Sequence, residues 1–508
     1  MKTLAYLPLT APLTAPLTVM ASLTFASPLA ANDDPAKEWL TTEQIAADLA
    51  IAEDAYSRIH PGYTRYASEA EMRAQWQTIL DEARGSGGMT SGDFYLSVTL
   101  ALTNIRCDHT KAELPDAMRE GRAGQPLYMP FRWELVEARG VIEIAGEGTG
   151  LARGDEILSI DGRALADVVD QVAKYIPVDG FTEWARRGEI AASTEVMGGG
   201  VDHFGALLWD VPATATLEVR RVDGTLETVE APRIDYAQWL AIGREAGRAR
   251  NFKDAVRFER VGENAAILSV DTFVNYRTPV DPQELYQPLF NALRDEGRDT
   301  LILDLRRNGG GSTDASIGLV ANLVPDERRF MREFRVATID HSPWEGMIGT
   351  WDQTALNPDP RGFIANADGS YTLRDGIMED TGTVSPTDIA FDGKLIILTS
   401  SNNSSGSTNI LAHLADRPNT VTVGEKTGGS AEGPTAGVIF FLTLPESDMR
   451  LRIPMFRQWN NTASFEEGMG VTPQVNVAMT FDAYLEGRDP ALEKAIELAG
   501  SSQRTAMR

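Results

Sequence analysis

The residues best placed to do chemistry lie in Thr399-Ser-Ser-Asn-Asn-Ser-Ser-Gly-Ser-Thr-Asn-Ile-Leu-Ala-His413. This polar stretch joins the apolar run Leu395-Ile-Ile-Leu398 to a segment with helical spacing, so it reads as a strand feeding a helix through a serine-rich elbow. Such an elbow exposes a side chain and leaves first-turn N–H groups without acceptors, which suits a serine nucleophile and an oxyanion hole. Ser405 is the candidate nucleophile. The alternative is that Ser and Asn gather here only as helix caps.

A second chemical segment is Asp304-Leu-Arg-Arg-Asn-Gly-Gly-Gly-Ser-Thr313, at the end of the apolar run Leu301–Leu305. Three glycines allow close approach of backbone to a ligand. A phosphate loop would need a lysine after them, and Ser312-Thr313 follow instead. An oxyanion hole is the better fit, with Gly310 as a donor.

These segments need elements to hold them, and the chain's texture changes along its length. Met1-Lys2 precedes Leu4–Ala31, a run free of charge that ends in Pro-Leu-Ala-Ala, the pattern of a signal peptide over residues 1–31 with cleavage near Ala30 or Ala31. That pattern places the protein in the periplasm or outside the cell. No later stretch offers the ~20 apolar residues of a membrane span. Residues 32–126 show helical periodicity, as in Thr41–Glu53 and Ala70–Leu80. Residues 127–235 carry short strand-like runs and turns, and within them Leu151–Arg163 resembles the PDZ signature, with Asp161-Gly162 closing a hairpin. The stretch from about Leu165 to Leu208 reads as an insertion in that unit. From 236 to 500 strands alternate with helices, the pattern of an α/β domain. Residues 335–390 read as a lid-like excursion from it, and 501–508 as a tail.

With a formal net charge of −26 over 508 residues, nucleic acid and anionic membrane are disfavoured as partners. The single Cys107 excludes an intrachain disulfide. The five histidines show no metal-ligand spacing, so neither metal nor cofactor is expected.

Taken in order, these motifs resemble the tail-specific, or C-terminal processing, serine peptidases. Asp304–Gly311 is similar to that family's strand end, Thr399–Ala412 to its nucleophile segment, Gly424-Glu-Lys-Thr-Gly-Gly429 to its strand-turn, and Gly468-Met-Gly-Val-Thr-Pro473 to its late glycine motif. The resemblance implies a multi-domain fold, a crotonase-like α/β core behind a PDZ-like domain, and hydrolysis of peptides or unstructured protein ends. It makes Ser405 the nucleophile, with the N–H groups of Gly310 and Gly406 as the oxyanion hole. The dyad branch places its catalytic lysine where this chain has Ser430, so the base must come from elsewhere. Asn104-Ile-Arg-Cys-Asp-His-Thr110 is similar to the segment that supplies a histidine in the tricorn-like branch, which implies His109 as base and Glu467 as the supporting acid. Asp108 competes with Glu467 for that role, Lys426 competes with His109, and His413 is expected to be packed. The rival class is a silent PDZ-containing scaffold that binds peptides without cutting them.

Overall fold

The computed structural model describes residues 34–244, 249–378, 381–462 and 465–505. The signal-peptide expectation lies outside the described residues, as do 506–508 of the tail.

Three N-terminal helices, Thr42–Ile59, Glu69–Ser86 and Ser91–Thr103, form where the periodicity predicts helical structure. Capping boxes at Thr41/Gln44 and Ser68/Glu71 satisfy first-turn donors of the first two helices. Their apolar stripes bury Ile45, Tyr56, Met72 and Trp76. This unit is tied to the rest of the chain: Tyr56 Oη donates to Arg452 O at 3.0 Å, and the short strand Ala112–Glu113 pairs with Arg450–Asn460.

The next unit is an antiparallel sheet ordered Phe131–Val136, Arg139–Ala145, Glu156–Ile160, Thr214–Arg220, Leu226–Pro232. Its Asp161-Gly162 turn has φ of 50° and 75°, and Ile160 pairs with Arg163 across it. Two successive positive φ values are what a two-residue hairpin of this hand requires, so the Asp-Gly pair is explained. Helices Leu165–Ala173, Arg187–Ile190 and Gly200–Leu208 occupy the stretch expected to be an insertion. Arg187–Ile190 and Tyr236–Arg244 both lie against the outer strand Phe131–Val136.

The core is a six-stranded sheet: β1 (Val256–Val261), β2 (Ala265–Val270), β3 (Thr300–Asp304), β4 (Lys394–Thr399), β5 (Thr420–Gly424) and β6 (Val475–Asn476), in that spatial order. β1 runs antiparallel to β2, and every other neighbour is parallel. Both faces are covered, which is why β2, β3 and β4 are nearly unbroken apolar runs. Helices α1 (Pro282–Asp295), α2 (Thr313–Ala321) and α3 (Ser405–Ala415) follow β2, β3 and β4. α4 (Pro490–Thr505) covers the opposite face, where Ala491 and Ala495 meet Ile267, Ile302, Ile396, Leu398 and Val423.

The 335–390 excursion is more ordered than its composition suggests. Met331–Val336, Tyr371–Leu373 and Phe363–Ala365 extend a second sheet built on Thr435–Thr443 and Arg450–Asn460. Phe363–Ala365 and Tyr371–Leu373, at three residues each, are too short to show alternation in sequence.

Candidate active site

β3 and β4 are parallel neighbours, with Asp304 opposite Leu398. Their following loops therefore leave the same edge of the sheet side by side, the usual place for a site in such a fold. Asn403 locks them together. Fully buried, it donates from Nδ2 to Leu305 O at 2.6 Å, Asn308 O at 3.0 Å and Ser407 Oγ at 3.1 Å, while Oδ1 accepts from Ser400 N at 2.8 Å. Asn403→Ala strips partners from four buried groups and is expected to cost about 3 kcal/mol of stability, read as a lower denaturant midpoint at unchanged slope.

Ser405 opens α3 with φ of 52°, a conformation uncommon outside glycine and costly for a residue with a Cβ. The glycine triplet stands against it. A Cβ placed on Gly310 would lie 2.9 Å from Ser405 Cβ and 3.1 Å from Gly406 N, and one on Gly311 only 2.3 Å from Phe273 C. Only glycine lets this loop pass so near the elbow. Gly406 N–H sits in the first turn of α3, where the helix offers it no acceptor. The Gly310 N–H is engaged: it donates to Asn308 Oδ1 at 2.8 Å.

His109 arrives from the N-terminal unit on a tight turn, in which Arg106 has φ of 56° and Thr110 N–H donates to Cys107 O at 3.1 Å. His109 Nδ1 lies 2.6 Å from Asp108 Oδ1, each side chain about three-quarters buried at 23 % exposure. The two atoms are close without the alignment of a hydrogen bond, so the attraction is mainly Coulombic. The other carboxylate oxygen, Asp108 Oδ2, accepts a hydrogen bond from Ser404 Oγ. Asp108 thus joins the histidine turn to the residue preceding Ser405. Burial by itself lowers the imidazole's pKa, but the Asp108 carboxylate outweighs it and holds His109 well above its ordinary value. Burial likewise opposes the Asp108 charge, and His109 overcomes it, keeping the carboxyl below its usual range.

Ser405, His109, Gly310 and Gly406 line one cavity of about 1450 Å3, whose walls include the exposed rings of Tyr276 and Trp351. The other four histidines are placed for packing. His60 is pushed down to about 3 by burial and contacts Thr110 Oγ1 through Nε2 at 2.9 Å. His203 and His413 are pushed down to about 3 by burial, with His413 stacked on Phe330 at 4.2 Å. His341 is lowered by burial, and its Nδ1 lies 3.2 Å from Leu356 O.

Glu467 is not brought to this site. It is exposed, lies outside the cavity lining, and precedes Gly468, whose carbonyl accepts from Phe181 N. Lys426 has Nζ over the Trp184 ring at 5.4 Å and also lies outside the lining. Ser430 is buried, with its N–H donated to Asp179 Oδ2 at 2.8 Å. The link from Asp108 to Ser404 is the feature that sequence reasoning missed. Asp108 was visible as a neighbour of His109, whereas nothing local marks Ser404 as its partner.

Residues 264–477 match the family model of Peptidase family S41. The matched S41 segment contains β2 to β6, the glycine loop and Ser405, while His109 lies outside it. A comparison with curated proteins finds no match. Among solved structures, a CPAF mutant aligns over 91% of this chain and 97% of its own at 14% identity and a TM-score of 0.63. Mature CPAF complexed with lactacystin aligns over 91% and 98%, at 15% identity and a TM-score of 0.61. At such identities the likeness is one of fold, and it extends beyond the S41 segment to the N-terminal units. The S41 match supports a serine peptidase.

Proposed function

We propose that this chain is an exported serine peptidase that cleaves peptides or unstructured protein ends through an acyl-enzyme on Ser405. Export rests on the charge-free Leu4–Ala31 run. The catalytic assignment rests above all on the Asp108 carboxylate, which contacts both His109 and the serine beside Ser405.

In this reading Ser405 Oγ attacks the peptide carbonyl carbon as His109 Nε2 takes its proton, His109 then protonates the leaving amine, and water releases the acyl group by the same route. The developing imidazolium is stabilised by Asp108. We assign Asp108, rather than the exposed Glu467, to that positioning role. Gly406 N–H is one oxyanion donor, and Gly310 N–H becomes the second when it leaves Asn308 Oδ1. The cavity of about 1450 Å3, with exposed Tyr276 and Trp351 in its walls, has room for a peptide that offers apolar side chains.

Incubation with an unstructured polypeptide such as casein tests the activity. Fragments are expected from the wild-type protein, and their loss in His109→Ala. Equal cleavage by that variant would remove the histidine from the mechanism.

A further inference from the structure

We propose that Cys107, Asp108 and His109 form an inhibitory site for zinc, beside the cavity that His109 lines. The inference rests on the peptidase reading only for what the metal would stop. The tight turn from Arg106 to Thr110 brings three consecutive side chains together, so that a thiol sulfur, a carboxylate oxygen and an imidazole nitrogen lie within 4.8 Å of one another. Sulfur, nitrogen and oxygen donors of these kinds are the ones zinc takes. Two of the donor atoms, Asp108 Oδ1 and His109 Nδ1, are buried without an aligned hydrogen-bond partner. Cys107 Sγ donates weakly to Thr435 O at 3.3 Å and also lies beside the His109 ring.

Closing this set on a metal needs little movement. Tetrahedral ligands about 2.1 Å from zinc sit about 3.4 Å apart, so the 2.6 Å contact between Asp108 and His109 opens by less than an ångström. A water completes the tetrahedral set. Binding displaces the Cys107 thiol proton into solvent; an imidazolium at His109 also releases its Nδ1 proton, whereas in the neutral ring that proton moves from Nδ1 to Nε2. Either way the ring keeps one proton, at Nε2. With Nδ1 on the metal and Nε2–H facing the cavity, His109 has no lone pair to accept the Ser405 proton. Zinc would thus act through the tautomer, without covering the serine.

Two readouts test the site in the full-length protein. In the first, Zn2+ is titrated against peptide hydrolysis and then removed with a chelator. Reversible inhibition is expected, and Cys107→Ser, which keeps a donor for Thr435 O, should hydrolyse normally yet need at least about tenfold more zinc. In the second, Co2+ replaces zinc, and a sulfur-to-cobalt charge-transfer band is expected in the wild-type protein and in Ser405→Ala, but not in Cys107→Ser. Inhibition of Cys107→Ser at the wild-type zinc concentration, or a cobalt-loaded protein without the sulfur band, would overturn the proposal. A sulfur band in a protein that hydrolyses nothing would support the metal site and count against the peptidase reading alone.

Discussion

Ser405→Ala is expected to lower kcat/KM by about 10 000-fold or more while the protein stays folded, because no other group on the elbow can form the acyl-enzyme. Ser404 is the obvious substitute, but its hydroxyl is committed to Asp108. A second variant separates chemistry from folding. Ser405 carries a left-handed φ of 52°, which glycine adopts freely. Ser405→Gly should therefore be as inactive as the alanine variant and about 1 kcal/mol more stable than it. Strain at the nucleophile is the expected signature of a site whose geometry is imposed by its surroundings. If the glycine variant were less stable than the alanine variant, Ser405 would not be strained and the elbow would be an ordinary cap.

The second large effect belongs to Asp108. Its carboxylate raises the pKa of His109 well above the ordinary histidine value, against the opposing pull of burial. A general base must be unprotonated, so kcat/KM should rise with pH and reach its plateau only above the ordinary histidine range. Asp108→Asn removes the negative charge, and burial then acts unopposed. The acid limb of the profile should therefore move to lower pH, while the plateau falls by at least about a hundredfold, since the imidazolium and its orientation lose their support. Glu467→Gln is the natural control. As an exposed residue outside the cavity lining, Glu467 should leave both limb and plateau near wild type. A profile that shifts with Glu467→Gln and ignores Asp108→Asn would exchange the two roles.

Much of this site is legible in the chain because local physics dictates it. Leu395–Leu398 must be a buried strand, and the Ser/Asn cluster after it marks the turn into a helix, although the N-cap residue Ser404 turns its hydroxyl to Asp108 instead of capping. The glycines at 309 to 311 announce a close approach, and at Gly310 the approach is to Ser405 itself. Asp161-Gly162 likewise predicts its own hairpin. What the chain conceals is tertiary. Asp108 and Ser404 are separated by 296 positions, and neither carries a mark of the other. The Gly310 donor could be inferred from flexibility, but its capture by Asn308 Oδ1 depends on a side-chain rotamer that spacing cannot reveal. Glu467 rests on motif position alone, and its side chain is exposed. The strands at Phe363–Ala365 and Tyr371–Leu373 are shorter than the period needed to detect them.

The central claim is that Ser405 is a nucleophile activated by His109. Its most direct test is covalent labelling of the intact protein with a serine-directed fluorophosphonate, followed by peptide mapping. One adduct is expected, on Ser405, at a rate that drops in His109→Ala and in Asp108→Asn. Labelling on Ser404 instead, or labelling that proceeds equally well without His109, would contradict it.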